Sequence, residues 1–373
     1  MPAKKSVQLS GVAVAQTSLC SIDAERGILR YRGYDIADLA ERATYEETAY
    51  LLLEGELPSG GQLEAFRDEL AAARELPRSV AAIVDGYALD ASAMETLRTA
   101  VSALSFDDRD EAAIDRETER RKAVELIARV PTIVSRYHRR RQRLPAIPPD
   151  PSLSYSESFL TMLRGETPTD EEVRAFDVAM ILHAEHELNA STFTARVVAG
   201  THADMHSAVT AAVAALKGPI HGGANEAAMR FFEEVGSPER AADAVRERFA
   251  RKQTVFGFGH PVYVTTDPRA RILKRLSESF SHDGGEPNWY AITEATERAV
   301  TEQRGLWPNV DLYSGSLYRY LGIPNDLFTP LFAASRVVGW CAHVLEQHAD
   351  NKIIRPAAEY VGPERREFPV RAS

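Results

Sequence analysis

The chain has 373 residues, of which 44% are hydrophobic and 26% charged, a composition typical of a globular protein with room for two domains. Its net charge of −10 argues against general affinity for nucleic acid or for an anionic membrane, so an anionic ligand would need a local basic pocket. The only cysteines, Cys20 and Cys341, exclude a disulfide framework and fit buried residues in a reducing compartment. Neither a signal peptide nor a run of transmembrane length is apparent, so we expect a cytoplasmic protein.

The first predicted elements are two short strands. Leu19 to Ile22 and Ile28 to Tyr31 flank a turn through Asp23 to Gly27, which is the pattern of a β-hairpin. Asp35 can then cap a helix, and the rest of the chain predicts helix throughout.

Helix signals recur along the remaining sequence. Thr44 and Glu47 form a capping box for a helix from Tyr45 to Glu54, which Gly55 can end. The next helix carries apolar residues at helical spacing and stops at a proline: Leu63, Phe66, Leu70, Ala73, then Pro77. Helices of roughly 10 to 15 residues separated by Gly and Pro continue to the C terminus, which predicts an all-α protein.

Two charged segments interrupt this pattern. Asp107 to Glu111 is acidic and predicts a solvated loop. Arg136 to Arg143 is strongly basic and leads into the proline-rich turn Pro145 to Pro151. We interpret it as a solvated helix end, because cations stabilise helix C termini, and coenzyme phosphate binding is the alternative.

A Gly-rich turn is the first candidate functional segment. The stretch Gly218 to Glu226, G-P-I-H-G-G-A-N-E, follows a helix of small residues from His206 to Lys217. Its paired glycines leave the backbone free to adopt positive φ and let a ligand approach closely. His221 is therefore expected on a tight turn that presents its side chain.

Two later turns resemble the first. Gly257 to Pro261 places His260 between Gly and Pro, and Pro308 to Asp311 places a carboxylate on a similar loop. A histidine or aspartate on one such turn is more often structural than catalytic. Three of them, each after a helix, form a plausible acid–base set.

The three segments also resemble a known family. G-P-I-H-G-G-A-N-E, G-F-G-H-P-V-Y-x-x-x-D-P-R and P-N-V-D-x-Y-S-G are similar, in this order, to the signature segments of the citrate synthase family. The resemblance covers essentially the whole chain. It implies an all-α, two-domain fold with a small N-terminal β-hairpin: a large domain of residues 1–222 and 323–373, a small domain of residues 223–322, and the active site in the cleft.

The resemblance also implies a reaction, in which the α-carbon of an acyl-CoA condenses with the ketone of oxaloacetate and the thioester is then hydrolysed. Asp311 matches the base that removes the α-proton, His221 the donor to the thioester oxygen, and His260 the group that polarises and protonates the ketone. No cofactor is implied, since the coenzyme A thioester is itself a substrate. His186 matches the histidine that binds oxaloacetate, although a histidine on an amphipathic helix is more often simply packed.

A metal site is not expected. The H-A-E-H sequence around His186 is not H-E-x-x-H, and no third ligand is apparent. The family's carboxylate clamps are instead arginines, whose planar guanidinium binds a carboxylate through two parallel hydrogen bonds. They match Arg269, Arg336 and Arg355.

In relatives the last of these arginines comes from the partner subunit. The resemblance therefore implies an obligate homodimer with shared active sites, and the alanines of the helix from His206 to Lys217 suit a close helix interface.

For coenzyme A, the family holds the adenine with the backbone of the turn before the second histidine. The matching residues are Val255, Phe256, Gly257, Phe258 and Gly259. Pro261 and Val264 stand where many family members carry cations for the phosphates. Other cations must then replace them, and the candidates are Arg271, Lys274 and Arg275.

The ends of the chain bear on the acyl substrate. Lys4 to Val7, Leu9 to Val12, Asp350 to Pro356 and Tyr360 to Glu364 are most similar to the 2-methylcitrate synthases, which use propionyl-CoA in the methylcitrate route of propionate breakdown. The segment Leu312 to Gly315 is closer to ordinary citrate synthases. One methyl group supports only about 1–3 kcal/mol of discrimination, so we expect 2-methylcitrate synthesis with citrate synthase side activity.

Three alternatives stay open at this point. One is a citrate synthase of the citric acid cycle that prefers acetyl-CoA. Another is a non-catalytic helical homologue, which the presence of all three acid–base residues argues against. The third is a citrate-cleaving module, for which 373 residues leave little room.

Overall fold

The computed structural model describes Leu9, residues 11–282 and residues 287–368. Lys4 to Val7 and Ser10, which belong to the N-terminal resemblance, lie outside these residues. The described chain begins with a three-stranded antiparallel sheet of Cys20–Asp23 (β1), Ile28–Tyr31 (β2) and Tyr34–Asp35 (β3). The predicted hairpin is confirmed, with its first strand shifted by one residue. The third strand was not predicted, because two residues carry no alternation signal.

Sixteen α-helices follow in the described part of the chain, in agreement with the all-α prediction. They are Ile36–Arg42 (α1), Tyr45–Glu54 (α2), Gly60–Ala73 (α3), Arg78–Gly86 (α4), Ala93–Ala103 (α5), Arg116–Arg141 (α6), Tyr155–Arg164 (α7), Asp170–His183 (α8), Ala190–Ala199 (α9), Met205–Leu216 (α10), Gly223–Val235 (α11), Ala241–Ala250 (α12), Pro268–Ser281 (α13), Trp289–Arg304 (α14), Val310–Tyr320 (α15) and Phe328–Ala349 (α16).

Local capping explains where many of these helices begin. At α2, the Thr44 backbone N–H donates to Glu47 Oε2 at 2.7 Å and the Glu47 N–H donates to Thr44 Oγ1 at 3.3 Å. Gly55, with φ of 100°, ends the helix in the left-handed conformation. Both features confirm the prediction from the sequence. The same capping box recurs at α3, α5 and α8, with the pairs Ser59–Gln62, Ser92–Glu95 and Thr169–Glu172.

Helix α16 forms the centre of the core. It packs against α2, α6, α8, α9 and α10, and nearly all of its residues are buried. Both cysteines are buried as predicted, Cys341 within this helix. The expectation that no segment reaches transmembrane length was wrong, because residues Asn325–Ala349 are long and apolar enough. The most apolar window of that segment is entirely buried inside the protein, so it is a core helix.

The basic end of α6 is not the solvated helix end that the sequence predicted. The Arg136 Nε donates to Asp85 Oδ1 at 2.8 Å, Arg140 Nη2 to the Tyr87 carbonyl at 2.6 Å, and Arg139 Nε to the Pro145 carbonyl at 2.7 Å. These guanidinium groups therefore connect α6 to the end of α4 and to the proline-rich segment. Asp85 and Tyr87 lie 51 and 53 positions from their arginines, so composition alone could not reveal these two partners.

The acidic connector after α5 is exposed at Asp107, Arg109, Asp110 and Glu111, as predicted, but the side chain of Asp108 is not. The carboxylate of Asp108 is only 2% exposed and lies 3.2 Å from the Lys122 ammonium, which is itself completely buried. Lys122 also donates to the carbonyls of Asp110 and Glu111, both at 2.6 Å, and of Ala113 at 3.1 Å. One lysine thus anchors the connector to α6.

Helices α11 to α15 pack mainly against one another. In addition, α11 contacts α16, and α13 contacts α1 and α8. The division into domains at residues 222/223 and 322/323 stays a prediction.

Substituting the buried lysine tests the anchoring of the connector. We expect Lys122→Ala to lower the free energy of unfolding by on the order of 3–5 kcal/mol, because it removes the buried one of the two cations that pair with Asp108 and leaves three carbonyls without their donor. The control is Arg121→Ala, whose guanidinium also pairs with Asp108 but is 43% exposed, and which should cost less than about 1 kcal/mol. Urea unfolding at one protein concentration measures both. Similar small losses would contradict the structural role of Lys122.

Candidate active site

Backbone hydrogen bonds join two of the predicted site segments. The Gly259 N–H donates to the Trp307 carbonyl and the Asn309 N–H donates to the Gly257 carbonyl, both at 2.9 Å. The Asn309 side-chain amide donates to the Gly259 carbonyl at 2.9 Å. Residues 257–259 and 307–309 therefore form a short antiparallel pairing. It fixes His260 and Asp311 relative to each other, since each follows the pairing by one or two residues.

Glycine is required at position 257 of this pairing. Its φ is 91°, and a Cβ there would lie 2.9 Å from the Leu312 Cδ1 and 3.1 Å from the Leu312 Cα. Helix α15 can approach the turn this closely only because position 257 has no side chain. Gly259 also has a positive φ, 74°, but a Cβ there would meet open space.

Asp311 lies in the first turn of α15 and not on a loop as predicted. Asn309 caps this helix, since its Oδ1 accepts the Asp311 N–H at 3.0 Å. The Asp311 Oδ1 is buried and has no hydrogen-bond partner among the described residues. Burial raises the pKa of this carboxyl group to about 7, although Arg269 and Arg336 act to lower it. Asp311 therefore exchanges a proton near neutral pH.

His221 lies on the turn between α10 and α11. The two glycines after it do not use the positive φ that glycine permits, and Gly222 has φ of −63°. Gly222 is needed for another reason: its N–H donates to the Leu216 carbonyl at 3.0 Å, and a Cβ would lie 2.6 Å from that oxygen. The turn is tight because it folds back on the end of α10.

Hydrogen bonds fix the tautomer of His221. Its Nε2 accepts the backbone N–H of Ser191 at 3.3 Å, and a backbone N–H can only donate. The Ser191 hydroxyl lies 2.9 Å from the same nitrogen, donates to Asn189 Oδ1 at 2.8 Å and accepts the Trp340 indole N–H at 3.1 Å. Nε2 is therefore unprotonated, and Nδ1 of the neutral ring carries the hydrogen.

The same argument gives the tautomer of His260. Its Nδ1 accepts the backbone N–H groups of Val262 at 3.0 Å and Tyr263 at 3.3 Å. Nε2 of the neutral ring must then carry the hydrogen. Burial lowers the pKa of both His221 and His260 to about 4, helped by the charge of Arg336 at His221 and of Arg269 at His260. At neutral pH both rings are uncharged and present one N–H donor each.

His186 lies beside His260. The two ring centroids are 5.0 Å apart, and His186 Nε2 is 3.2 Å from the Tyr263 hydroxyl. His186 is in the connection between α8 and α9, where Glu187 has a positive φ of 53°, and not on a helix as the sequence suggested. Burial, followed by the charge of Arg269, holds its pKa well below the ordinary range.

Two of the three predicted arginines lie in the same buried region. Arg269 pairs with Asp267 through contacts of 2.6 and 3.0 Å. Arg336 donates from Nε to the His183 carbonyl at 2.5 Å and stacks on Phe332, with no ion pair among the residues described. Arg355 is exposed in the segment after α16, unlike the two buried arginines.

A metal-like cluster is present at this position. Potential ligand atoms of His186, His260 and Asp267 lie within 4.8 Å of one another. Both carboxylate oxygens of Asp267 already accept hydrogen bonds from Arg269, whose charge opposes a bound cation. The expectation of no metal therefore stays a prediction.

The predicted coenzyme A residues fall into two groups. Val255 to Gly259 form the paired turn described above, with Val255 buried and Phe256 and Phe258 half-buried. Arg271 and Arg275 are exposed on α13. Lys274 is 2.9 Å from Glu297 and 3.3 Å from Glu294, so it would have to leave two carboxylates to bind a phosphate.

Known proteins share this sequence and fold over nearly the whole chain. The family model described as citrate synthase, C-terminal domain, matches residues 8–357. The chain belongs to the citrate synthase family. It is 44% identical to citrate synthase 2 of Bacillus subtilis over 361 residues, which are 96% of each chain. It is 41% identical to 2-methylcitrate synthase of Shewanella oneidensis over 364 residues, 95% of this chain and 94% of the other.

A solved structure extends the likeness to three dimensions. The citrate synthase of Thermoplasma acidophilum, in ternary complex with carboxymethyl coenzyme A and oxaloacetate, is similar with a TM-score of 0.94 and 37% identity over 98% of each chain. Enzymes of the citrate synthase family condense an acyl-CoA with oxaloacetate, and the chain is an enzyme of this class.

Substitutions at Gly257 and Gly259 test whether the close approach of α15 to this turn positions the active site of this citrate synthase homologue. We expect Gly257→Ala to lower kcat/KM at least tenfold more than Gly259→Ala. Both substitutions strain a positive φ, but only the first forces Leu312 and the adjacent Asp311 to move. Initial rates of thiol release measure the difference. Equal losses would assign the effect to backbone strain alone.

Replacing Asp311 by Asn tests the cost of its burial. Because its pKa is raised to about 7, the native state loses stability as the pH rises from about 4, the unfolded value, through 7. Asp311→Asn removes that loss. We expect its free energy of unfolding to exceed that of the wild type by on the order of 2–4 kcal/mol at pH 8 and to equal it near pH 4. Urea unfolding at both pH values checks this, and a pH-independent difference would contradict it.

Proposed function

We propose that the protein condenses a short acyl-CoA with oxaloacetate and then hydrolyses the thioester. The observation that carries the proposal is a buried carboxyl group of raised pKa, Asp311, together with two neutral imidazoles that each keep one N–H donor, all three within the influence of Arg269 or Arg336. Removing a weakly acidic proton beside a thioester requires a base and a donor to the oxygen at the same moment. The site provides both.

The first step is enolisation of the acyl-CoA. Asp311 takes the α-proton, and the Nδ1–H of His221 donates to the thioester oxygen as negative charge develops there. The Ser191 N–H holds the opposite ring nitrogen, so the donor is oriented before substrate arrives. Since the pKa of His221 is about 4, the neutral ring donates without first changing its charge at neutral pH.

The second step is attack of the enol carbon on the ketone of oxaloacetate. The Nε2–H of His260 donates to the ketone oxygen and protonates it as the carbon–carbon bond forms. The proton that Asp311 took from the α-carbon then restores the hydrogen of the His260 ring. Arg336 and Arg269 supply the positive charge for the carboxylates, and His186 adds a further contact. Water then cleaves the thioester and releases coenzyme A. No cofactor beyond the coenzyme A thioester enters these steps, and we place the reaction in the cytoplasm.

The acyl preference is the finer part of the proposal. We propose propionyl-CoA as the preferred donor, giving 2-methylcitrate, on the resemblance of the termini. Citrate synthesis from acetyl-CoA is the second candidate, and it is equally supported by relatives named citrate synthase at 44% and 46% identity. Because one methyl group contributes only about 1–3 kcal/mol, both substrates should turn over.

We also propose a homodimer whose partner subunit completes each site with Arg355. This arginine is exposed in the irregular segment that follows α16. Helix α10 leaves Ser207 and Ala214 exposed, and such small side chains permit close packing of a second copy.

A thiol-release assay with oxaloacetate and either propionyl-CoA or acetyl-CoA, at matched concentrations, tests the activity and the preference together. We expect release with both and a higher kcat/KM with propionyl-CoA. Asp311→Asn should reduce the rate by at least 10³-fold while oxaloacetate still binds, because the base does not hold the keto acid. Asp243→Asn, an exposed carboxylate on α12, is the control and should be unchanged. No release by the wild type with either thioester would refute the proposed function.

The ionisation of the base predicts the pH profile. Only the carboxylate form of Asp311 removes a proton, and its pKa is raised to about 7. With oxaloacetate saturating, we expect kcat/KM for the acyl-CoA to rise about tenfold per pH unit below 7 and to level off above it. A profile that is flat between pH 5 and 8 would show that another group is the base.

A further inference from the structure

One face of α16 contacts the connection that carries His186. Arg336, Gly339, His343 and Gln347 follow one another at intervals of three or four residues, so they lie on the same side of the helix. Arg336 bonds the carbonyl of His183, at the start of the connection. The remaining residues of this face approach the same segment or the following helix, α9.

Gly339 allows the closest of these approaches. A Cβ at this position would overlap the carbonyl oxygen of Ala184 and would lie 2.5 Å from the Glu185 Oε2. Neither atom can easily move, because the first is backbone and the second belongs to a completely buried side chain. The helix therefore fixes the residues immediately before His186.

Glu185 is held at the centre of a buried polar chain. Its Oε1 accepts the Nε2–H of His343 at 3.1 Å. The opposite nitrogen of His343 accepts a guanidinium N–H from Arg196 at 3.0 Å, which fixes the tautomer because a guanidinium can only donate. Arg196 also pairs with Glu346 at 2.6 Å and bonds Gln347 at 2.9 Å. The main chain of Glu185 is tied to Tyr31, whose hydroxyl donates to its carbonyl at 2.8 Å.

The second carboxylate oxygen of Glu185 is left without a hydrogen bond. Oε2 is buried and has no partner among the described residues. An unpaired buried charge is costly, and its retention calls for a reason other than local bonding. Burial lowers the pKa of Arg336 to about 10, and the negative charge of Glu185 is the strongest influence in the opposite direction. Yet the two side chains make no ion pair.

We propose that Glu185 is a positioning residue for the dicarboxylate site: its buried carboxylate, held by His343 and packed on Gly339, fixes the segment before His186 and offsets the charge of Arg336 without binding it. The inference rests on the proposed function, in which Arg336 and His186 bind oxaloacetate. Because Glu185 makes no ion pair with Arg336, that guanidinium stays available for substrate. The same negative charge weakens the attraction for a dianionic ligand, so the site binds oxaloacetate less tightly than its arginines alone would.

Glu185→Gln separates this role from a purely structural one. The amide keeps the shape and the oxygen that accepts from His343, but it removes the charge. We expect KM and the calorimetric Kd for oxaloacetate to fall about tenfold. Removal of one screened negative charge at short range from the ligand can account for a change of this size. KM for the acyl-CoA at saturating oxaloacetate should not change. The melting temperature should stay equal or rise, because an unpaired buried charge is lost.

Two companion variants sharpen the result. His343→Leu keeps the charge of Glu185 but removes its hydrogen bond, so we expect a raised KM for oxaloacetate and a lower melting temperature. Glu346→Gln removes a carboxylate from the outer end of the same chain, next to Ser18, and should leave both KM values unchanged.

The outcomes distinguish the inference from the proposed function. A wild type that neither binds oxaloacetate nor releases thiol overturns both. An active wild type in which Glu185→Gln raises KM for oxaloacetate, or leaves it unchanged, overturns the inference alone. An equal fall in KM in Glu346→Gln would also overturn it, because the effect would then follow net charge and not the position of Glu185.

Discussion

The placement of the chemistry depends on the backbone pairing between residues 257–259 and 307–309. These few hydrogen bonds join the turn before His260 to the cap of α15, and they hold only because Gly257 lets Leu312 approach within contact distance. Without the pairing, the carboxyl group and the imidazole would belong to two independent segments. Burial then sets the acid–base properties of both groups. It raises the pKa of Asp311, which makes its carboxylate a stronger base, and it lowers the pKa of His260, so that this ring is neutral at neutral pH.

A few backbone hydrogen bonds set the tautomers of His221 and His260. At His221 one backbone N–H from Ser191 decides which nitrogen keeps its hydrogen, and at His260 two backbone N–H groups do so. Main-chain donors cannot reverse their role, unlike hydroxyl groups or amide side chains. The backbone donors thus leave each imidazole a single neutral tautomer. Only a substitution by proline at the donor residue would remove the backbone N–H.

The sequence predicted those features that short segments determine. The hairpin, the capping box of α2 and the turns that carry His221 and His260 follow from residues that are close together in the sequence. Features that depend on distant partners were missed. Asp108 was expected in water because its neighbours are acidic, whereas Lys122 buries it. The glycines after His221 were expected to give conformational freedom, but the need at Gly222 is for space beside Leu216. Glu185 and His343 are 158 positions apart, and nothing local marks either as part of one chain of hydrogen bonds.

The central position of α16 has a consequence for biogenesis. The backbone and hydroxyl of Ser18 bond Glu346 near the end of this helix, 328 positions later, and the Tyr45 hydroxyl bonds the carbonyl of Ser335. The first elements to leave the ribosome must therefore wait for almost the last one before their core can close. Such high contact order slows folding and leaves apolar surface exposed during translation. The N-terminal core can therefore be completed only once α16 has been synthesised.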